Sequence, residues 1–295
     1  FLDCTFRKFS SYGILASNLT GGTYTEGLFV HGCVFEEFPY DATTPYQAGI
    51  ILRGDGEYST ITGNRFFDIP SAVRFDDGAN CLFAHNIVMD LNGGYGSDRA
   101  AIYQLYDAAS NSGKLQIVHN KFNHIETGQA VIWIYGDPAK PQNSCIIADN
   151  EFLVSGDATN GRLVILDDAP HSRITGNSFR PKSVVSGHGV IRLNDSEDCI
   201  IEHNYFESAD YAVETSMSAD CFIGKNIYRN MTSGKFIANG SGSFVATAGR
   251  TLAFRIASSG SAGTPFDSGF TASRVATGHF RLTHSIGDLN YAVSV

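Results

Sequence analysis

The sequence predicts an all-β chain: a right-handed parallel β-helix, a solenoid, followed by a small antiparallel β-sandwich. Three observations carry this. A phrase whose full form is Cys-Ile-Ile-x-x-Asn-x-Phe returns nine times, with steps of 29, 31, 22, 34, 30, 27, 27 and 22 residues between centres. A second apolar stretch follows each copy, and no amphipathic helical pattern stands out. The shortest coil, 22 residues, has room for three strands and three bends but not for a strand and a helix with their loops.

Clear copies of the phrase span residues 81–88, 145–152, 199–206 and 221–228, and looser copies centre on Asn64, Asn120 and Asn177. In two degenerate copies, Cys4 and Cys33 stand in the asparagine place. Each phrase alternates apolar and polar residues around a β-branched stretch, which is strand periodicity. The second stretch appears at 49–52, 72–75, 130–134, 162–166 and 189–193, each followed within two residues by Asp, Asn or Gly, which form turns. Coils stacked at roughly 4.8 Å put like residues into columns. An inward Asn column can then hydrogen-bond along itself and to the bend backbone. The Phe or Tyr two places later fills the lumen in layers.

Composition narrows the function. Charged residues are only 17% and glycines number 31, which suits strands and turns. With 21 Lys+Arg against 30 Asp+Glu, the net charge is −9. No basic stripe exists for nucleic acid, and a polyanionic glycan receives no long-range attraction, so a neutral or mixed-charge glycan is favoured. No apolar run approaches membrane-spanning length and no signal peptide is visible. Phe1 falls inside a degenerate repeat, so earlier coils are expected before it. All six cysteines lie in the repeat, with spacings that belong to the coil rather than to a zinc knuckle. No disulfide, metal or cofactor is expected, and folding in a reducing cytoplasm is implied. Acidic residues at one bend, Asp77, Asp107, Asp168 and Asp195, leave calcium as an alternative without a calcium-loop motif.

The Asn phrase stops after Asn226, and Gly240-Ser241-Gly242 makes a flexible break. This divides the chain into a β-helix at 1–240 and a C-terminal β module at 241–295. Strand-like runs at 244–247, 252–256, 271–275, 279–282 and 291–295, separated by Gly/Ser-rich turns, read as antiparallel β. A strand at the last residue implies further sequence downstream. The run Gly278-His279-Phe280-Arg281-Leu282-Thr283, followed by Asn290-Tyr291-Ala292-Val293, resembles the C-terminal β modules of bacteriophage tailspikes and tail fibres. The Asn-centred coils before it resemble the pectate-lyase-like β-helix of those spikes, so the resemblance covers nearly the whole chain. It implies a homotrimer on the virion, at the phage tail, that binds and often cleaves a polysaccharide at the host cell surface. Tailspike catalytic residues share no motif, and none is carried over.

The second strand of each coil offers the best binding face. With Val73, Phe75, Ile132, Ile134, Val164, Leu166, Ile191 and Leu193 inward, alternation sends two columns outward. One reads Ile51, Arg74, Gln104, Trp133, Ile165, Arg192, Glu214; the other reads Arg53, Asp76, Tyr106, Tyr135, Asp167, Asn194, Ser216. Aromatic rings suit sugar faces, and carboxylates and amides suit hydroxyls. A trimer interface would favour the same residue types. Long insertions at 36–47, 90–99, 107–113 and 136–144 would wall the groove.

Glycoside hydrolysis needs two carboxyl groups. Asp167 is the first candidate, with Glu214 or Asp98 as the second. A surface ion pair between Asp167 and Arg192 is the structural alternative. His85, His119, Asp149 and His203 form a further column, either a lyase base or a tolerant polar bend. The readings carried forward are an endo-acting hydrolase, a polysaccharide lyase, a receptor-binding spike without catalysis, and a structural stalk.

Overall fold

A computed structural model describes residues 1–17, 27–39, 47–53, 56–76, 80–91, 100–105, 114–125, 130–136, 144–154, 162–181, 188–216, 218, 220–239, 244–245, 270–276, 279–284 and 291–294. The chain forms two units, Phe1–Thr247 and Ala248–Val295.

The first unit is a solenoid of three nine-stranded sheets, with every pairing parallel and between successive coils. Sheet I runs from Thr5–Arg7 to Ile227–Arg229, sheet II from Tyr12–Ser17 to Phe236–Asn239, and sheet III from Phe29–His31 to Phe244–Val245. Each full coil visits sheet III, passes the Asn bend into sheet I, and turns into sheet II. No helix occurs among the described residues.

The repeated residues explain the coil. Asn64, Asn86, Asn120, Asn150, Asn177 and Asn204 are buried. The Oδ1 of each accepts the backbone N–H of its predecessor in the column at 2.9 Å, beginning with Cys33 and Asn64. From Asn64 onward, each Nδ2 also donates to the next Oδ1 at 3.0–3.1 Å. The ladder thus satisfies bend amides that no strand can reach. Two residues further on, Phe6, Phe35 and Phe66, then Phe122, Phe152, Phe179, Phe206 and Tyr228, stack with centroids 4.7–5.6 Å apart. Val88 interrupts the stack, and Phe83 of sheet III tilts onto Phe66.

The residue before each ladder position takes a left-handed backbone. Gly63, His85, His119, Asp149, Gly176 and His203 have φ of 55–69°. That conformation selects Gly, Asp, Asn and His. The bend therefore accounts for the histidine column without catalysis, and the His85 and His119 rings stack on its outside at 5.0 Å. Asp168 and Asp195 sit at another bend with φ of 50° and 48°, so these two members of the acidic column have the same backbone origin.

The six cysteines are free thiols. Cys81, Cys145, Cys199 and Cys221 face the lumen as small buried hydrophobes. Burial pushes the Cys81 and Cys145 thiols up to about 11, which leaves them unreactive at neutral pH.

In the second unit, Phe270–Ala276, His279–His284 and Tyr291–Ser294 form a three-stranded antiparallel sheet. The expected run at 252–256 lies outside the described residues, and one sheet, not a two-sheet sandwich, is seen among those described. Phe244–Val245, expected to open this module, instead pairs in parallel with Cys221–Phe222 as the last strand of sheet III. The reason is register: Phe244 continues the column of Cys199 and Cys221.

Candidate functional site

The candidate site lies on the outer face of sheet II. At the entry to each strand two consecutive residues face the core, as with Ala72-Val73, Val131-Ile132, Leu163-Val164 and Val190-Ile191. The pair resets the alternation, so the second and fourth residues after its first member lie outside. Register then places Ile51, Arg74, Tyr103, Trp133, Ile165, Arg192 and Glu214 in one outward column. Arg53, Asp76 and Leu105 begin the other, and Tyr135, Asp167, Asn194 and Ser216 continue it.

This corrects one coil. Gln104, expected outside, is aligned with Phe75 and Ile134 and is only 5% exposed. Tyr103 takes the outward place. Residues 100–106 admit either parity from their polarity, and packing of Ile102 between Val73 and Ile132 selects one. Tyr106 and Asp98 lie outside the described residues, as do Asp77, Asp107 and most of each insertion.

From one end, the face begins with a charge cluster. Arg74 Nε donates to Asp76 Oδ1 at 2.6 Å, and Arg53 Nε reaches Asp76 Oδ2 at 3.4 Å. The Arg74 guanidinium lies 5.1 Å from the Tyr103 ring centre, a cation–π contact. Tyr103 meets Trp133 edge-on at 5.4 Å. The Trp133 indole N–H donates to Asp167 Oδ2 at 2.7 Å. Residues 34 apart in sequence therefore share one site. Tyr135, 40% exposed, stands beside Asp167 in the preceding coil. Burial pushes the Asp167 carboxyl above its ordinary range; the indole bond, the charge of Arg192 and the Asn194 amide oppose this without cancelling it.

Glu214 behaves oppositely. It is 3% exposed. Arg162 Nε and Nη2 donate to its two oxygens at 3.2 Å, and the Gly189 amide donates to Oε2 at 3.2 Å. Burial alone would raise its pKa, but Arg162, Gly189 and the charge of Arg192 together hold it below the usual range. Arg162 also donates to His188 Nδ1 at 2.8 Å. Gly189 lets Glu214 pack close against its backbone: a Cβ there would lie 2.5 Å from the Glu214 amide nitrogen. Gly189→Ala is therefore expected to destabilise the chain by about 1–3 kcal/mol through overpacking, read as a lower denaturant midpoint.

Asp167 and Glu214 are two coils apart and also offset by one column. That is roughly 10 Å along the stack and a further ~6–7 Å across, longer than two stacked coils alone would give. The expected Asp167–Arg192 ion pair is not formed: Asp167 takes the indole bond, and Arg192 Nε is buried without a hydrogen-bond partner. Tyr103, Arg162, His188 and Gly189 are site residues that pattern reading passed over. Arg162 had a visible signal, since it occupies the position held by Ala48, Ala100 and Ala130 in other coils. Among the described residues no group of three or more His, Cys, Asp or Glu is arranged to hold a metal ion.

Residues 1–152, just over half of the chain, match the family described as "right handed beta helix region". The chain belongs to this β-helix family. No curated protein matches it. A solved structure of the Streptococcus pneumoniae surface protein and adhesin PfbA is similar at 13% identity and a TM-score of 0.43, over 79% of this chain and 84% of that one. A likeness at that level carries no functional argument, and β-helix membership establishes architecture rather than activity.

Proposed function

We propose that the outer face of sheet II binds a bacterial surface polysaccharide and that Asp167 donates the proton for its cleavage, which makes the chain an endo-acting glycoside hydrolase. The observation that carries this is the Asp167 environment. A leaving glycosidic oxygen needs a carboxylic acid that keeps its proton towards neutral pH. Asp167 is raised in that direction, oriented by Trp133 and flanked by the exposed Tyr135 ring. Right-handed β-helix proteins are often polysaccharide-acting enzymes, which supports the reading. Glu214, sealed under Arg162, is assigned to holding the face together, and Asp98 remains the candidate second carboxylate. The order of Asn-centred coils and antiparallel module supports placement on a phage tail, as a homotrimeric tailspike acting at the host surface.

Arg192 and Tyr135 favour a second reading, a polysaccharide lyase, with the guanidinium neutralising a uronate and the Tyr135 oxygen, as phenolate, taking the proton. Digestion of purified capsule and O-antigen separates these readings. Shorter chains with new reducing ends and no unsaturated-uronate absorbance indicate a hydrolase, and the same products with that absorbance indicate a lyase. Tight binding without shortening at any pH would leave a receptor-binding spike.

Trp133→Phe keeps an aromatic ring and removes the indole N–H, which favours ionised Asp167. The Asp167 pKa is expected to rise further. The alkaline limb of the rate profile should therefore move to higher pH, since the proton is held longer. An unmoved limb would place Asp167 off the proton path.

A further inference from the structure

The four arginines on this face differ in one respect. Arg53 and Arg74 share Asp76, and Arg162 has Glu214. Arg192 has no ion-pair partner among the described residues, and its Nε is buried with no hydrogen-bond acceptor. Both nearby carboxyls are diverted, Asp167 to the Trp133 indole and Glu214 to Arg162 and the Gly189 amide. A buried cationic donor without an acceptor is unfavourable and calls for one. A guanidinium fork matches a carboxylate in shape and charge. Arg192 is aligned with Ile165 and Glu214, and Asn194, the next outward residue along the strand, is aligned with Asp167. A group seated at Arg192 would therefore lie beside the proposed acid.

We infer that Arg192 receives a carboxylate carried by the glycan, so that the ligand class is an acidic polysaccharide. The inference rests on the glycan-binding reading of this face and replaces the neutral or mixed-charge sugar expected from net charge. The overall −9 acts at long range and is screened over about 8 Å at physiological salt. Arg192 acts at contact.

The test uses acidic capsular polysaccharides, their carboxyl-reduced forms and dextran, measured by titration against the intact chain and its Arg192→Gln, Arg192→Lys and Trp133→Ala variants. Denaturation midpoints show that each variant is folded. The expected result is that carboxyl reduction weakens wild-type binding about tenfold or more. Arg192→Gln should lose a similar factor on the acidic polymer and little on the reduced one, with partial recovery in Arg192→Lys. Equal wild-type affinity for acidic and reduced polymers, abolished by Trp133→Ala, would overturn the Arg192 assignment and leave the glycan face standing. Binding to none of the polymers would overturn both.

Discussion

Replacing Asp167 by asparagine is expected to lower polysaccharide cleavage by about 10²–10⁴-fold, the usual contribution of a positioned general acid. The substitution is nearly isosteric, and the amide oxygen can still accept the Trp133 indole N–H that Asp167 takes at 2.7 Å. Shape and the aromatic wall are thereby kept while the transferable proton is lost. The rate should fall without a matching loss of affinity, which separates chemistry from binding. Chain shortening measured by size exclusion on a defined polysaccharide, with binding titrated in parallel, checks this. Wild-type turnover in the variant would remove Asp167 from the mechanism.

The second large effect concerns stability. Asn150→Ala is expected to cost about 4 kcal/mol. Asn150 is 2% exposed. Its Oδ1 accepts the Asn120 backbone N–H at 2.9 Å and the Asn120 side-chain amide at 3.0 Å. Its own amide donates to the Ile117 carbonyl at 2.8 Å and to Asn177 Oδ1 at 3.0 Å. Alanine strands the Asn120 backbone N–H in the lumen wall, at roughly 1–3 kcal/mol, removes the donor to the Ile117 carbonyl, and leaves a void besides; the Asn120 side-chain amide keeps the Phe83 and Val118 carbonyls. Because each coil's strands pair only with those of its neighbours, the damage should stay local. Faster hydrogen exchange at the Asn120 amide is expected alongside a lower denaturant midpoint. A change below about 1 kcal/mol would show that the bend amides find other partners.

Sequence reading succeeded where a residue's role depends on periodicity. Asn64 through Asn226, the Phe stack and the inward set around Ile132 and Leu166 follow from a repeat whose coils must superimpose. Trp133 and Asp167 were placed on one face for the same reason. The reading failed where a single coil departs from the pattern. Gln104 was set outward because polarity permits either parity in residues 100–106, and only the packing of Ile102 between its neighbours resolves it. Phe244 was assigned to the second module because a glycine-rich break preceded it, although its column continues that of Cys221.

The amino-acid string therefore specifies the solenoid, its ladders and the face on which polar and aromatic residues gather, because one local phrase copied nine times has one way to stack. The charge state of each group on that face is not local. Glu214 is held towards its ionised form because Arg162, 52 residues away, and the Gly189 amide donate to it. Asp167 is shifted towards its neutral form because burial outweighs the bonds it receives, and Arg192 has no ion-pair partner among the described residues because both nearby carboxyls are engaged elsewhere. Desolvation and pairing depend on which side chains meet across coils, so the folded arrangement settles them.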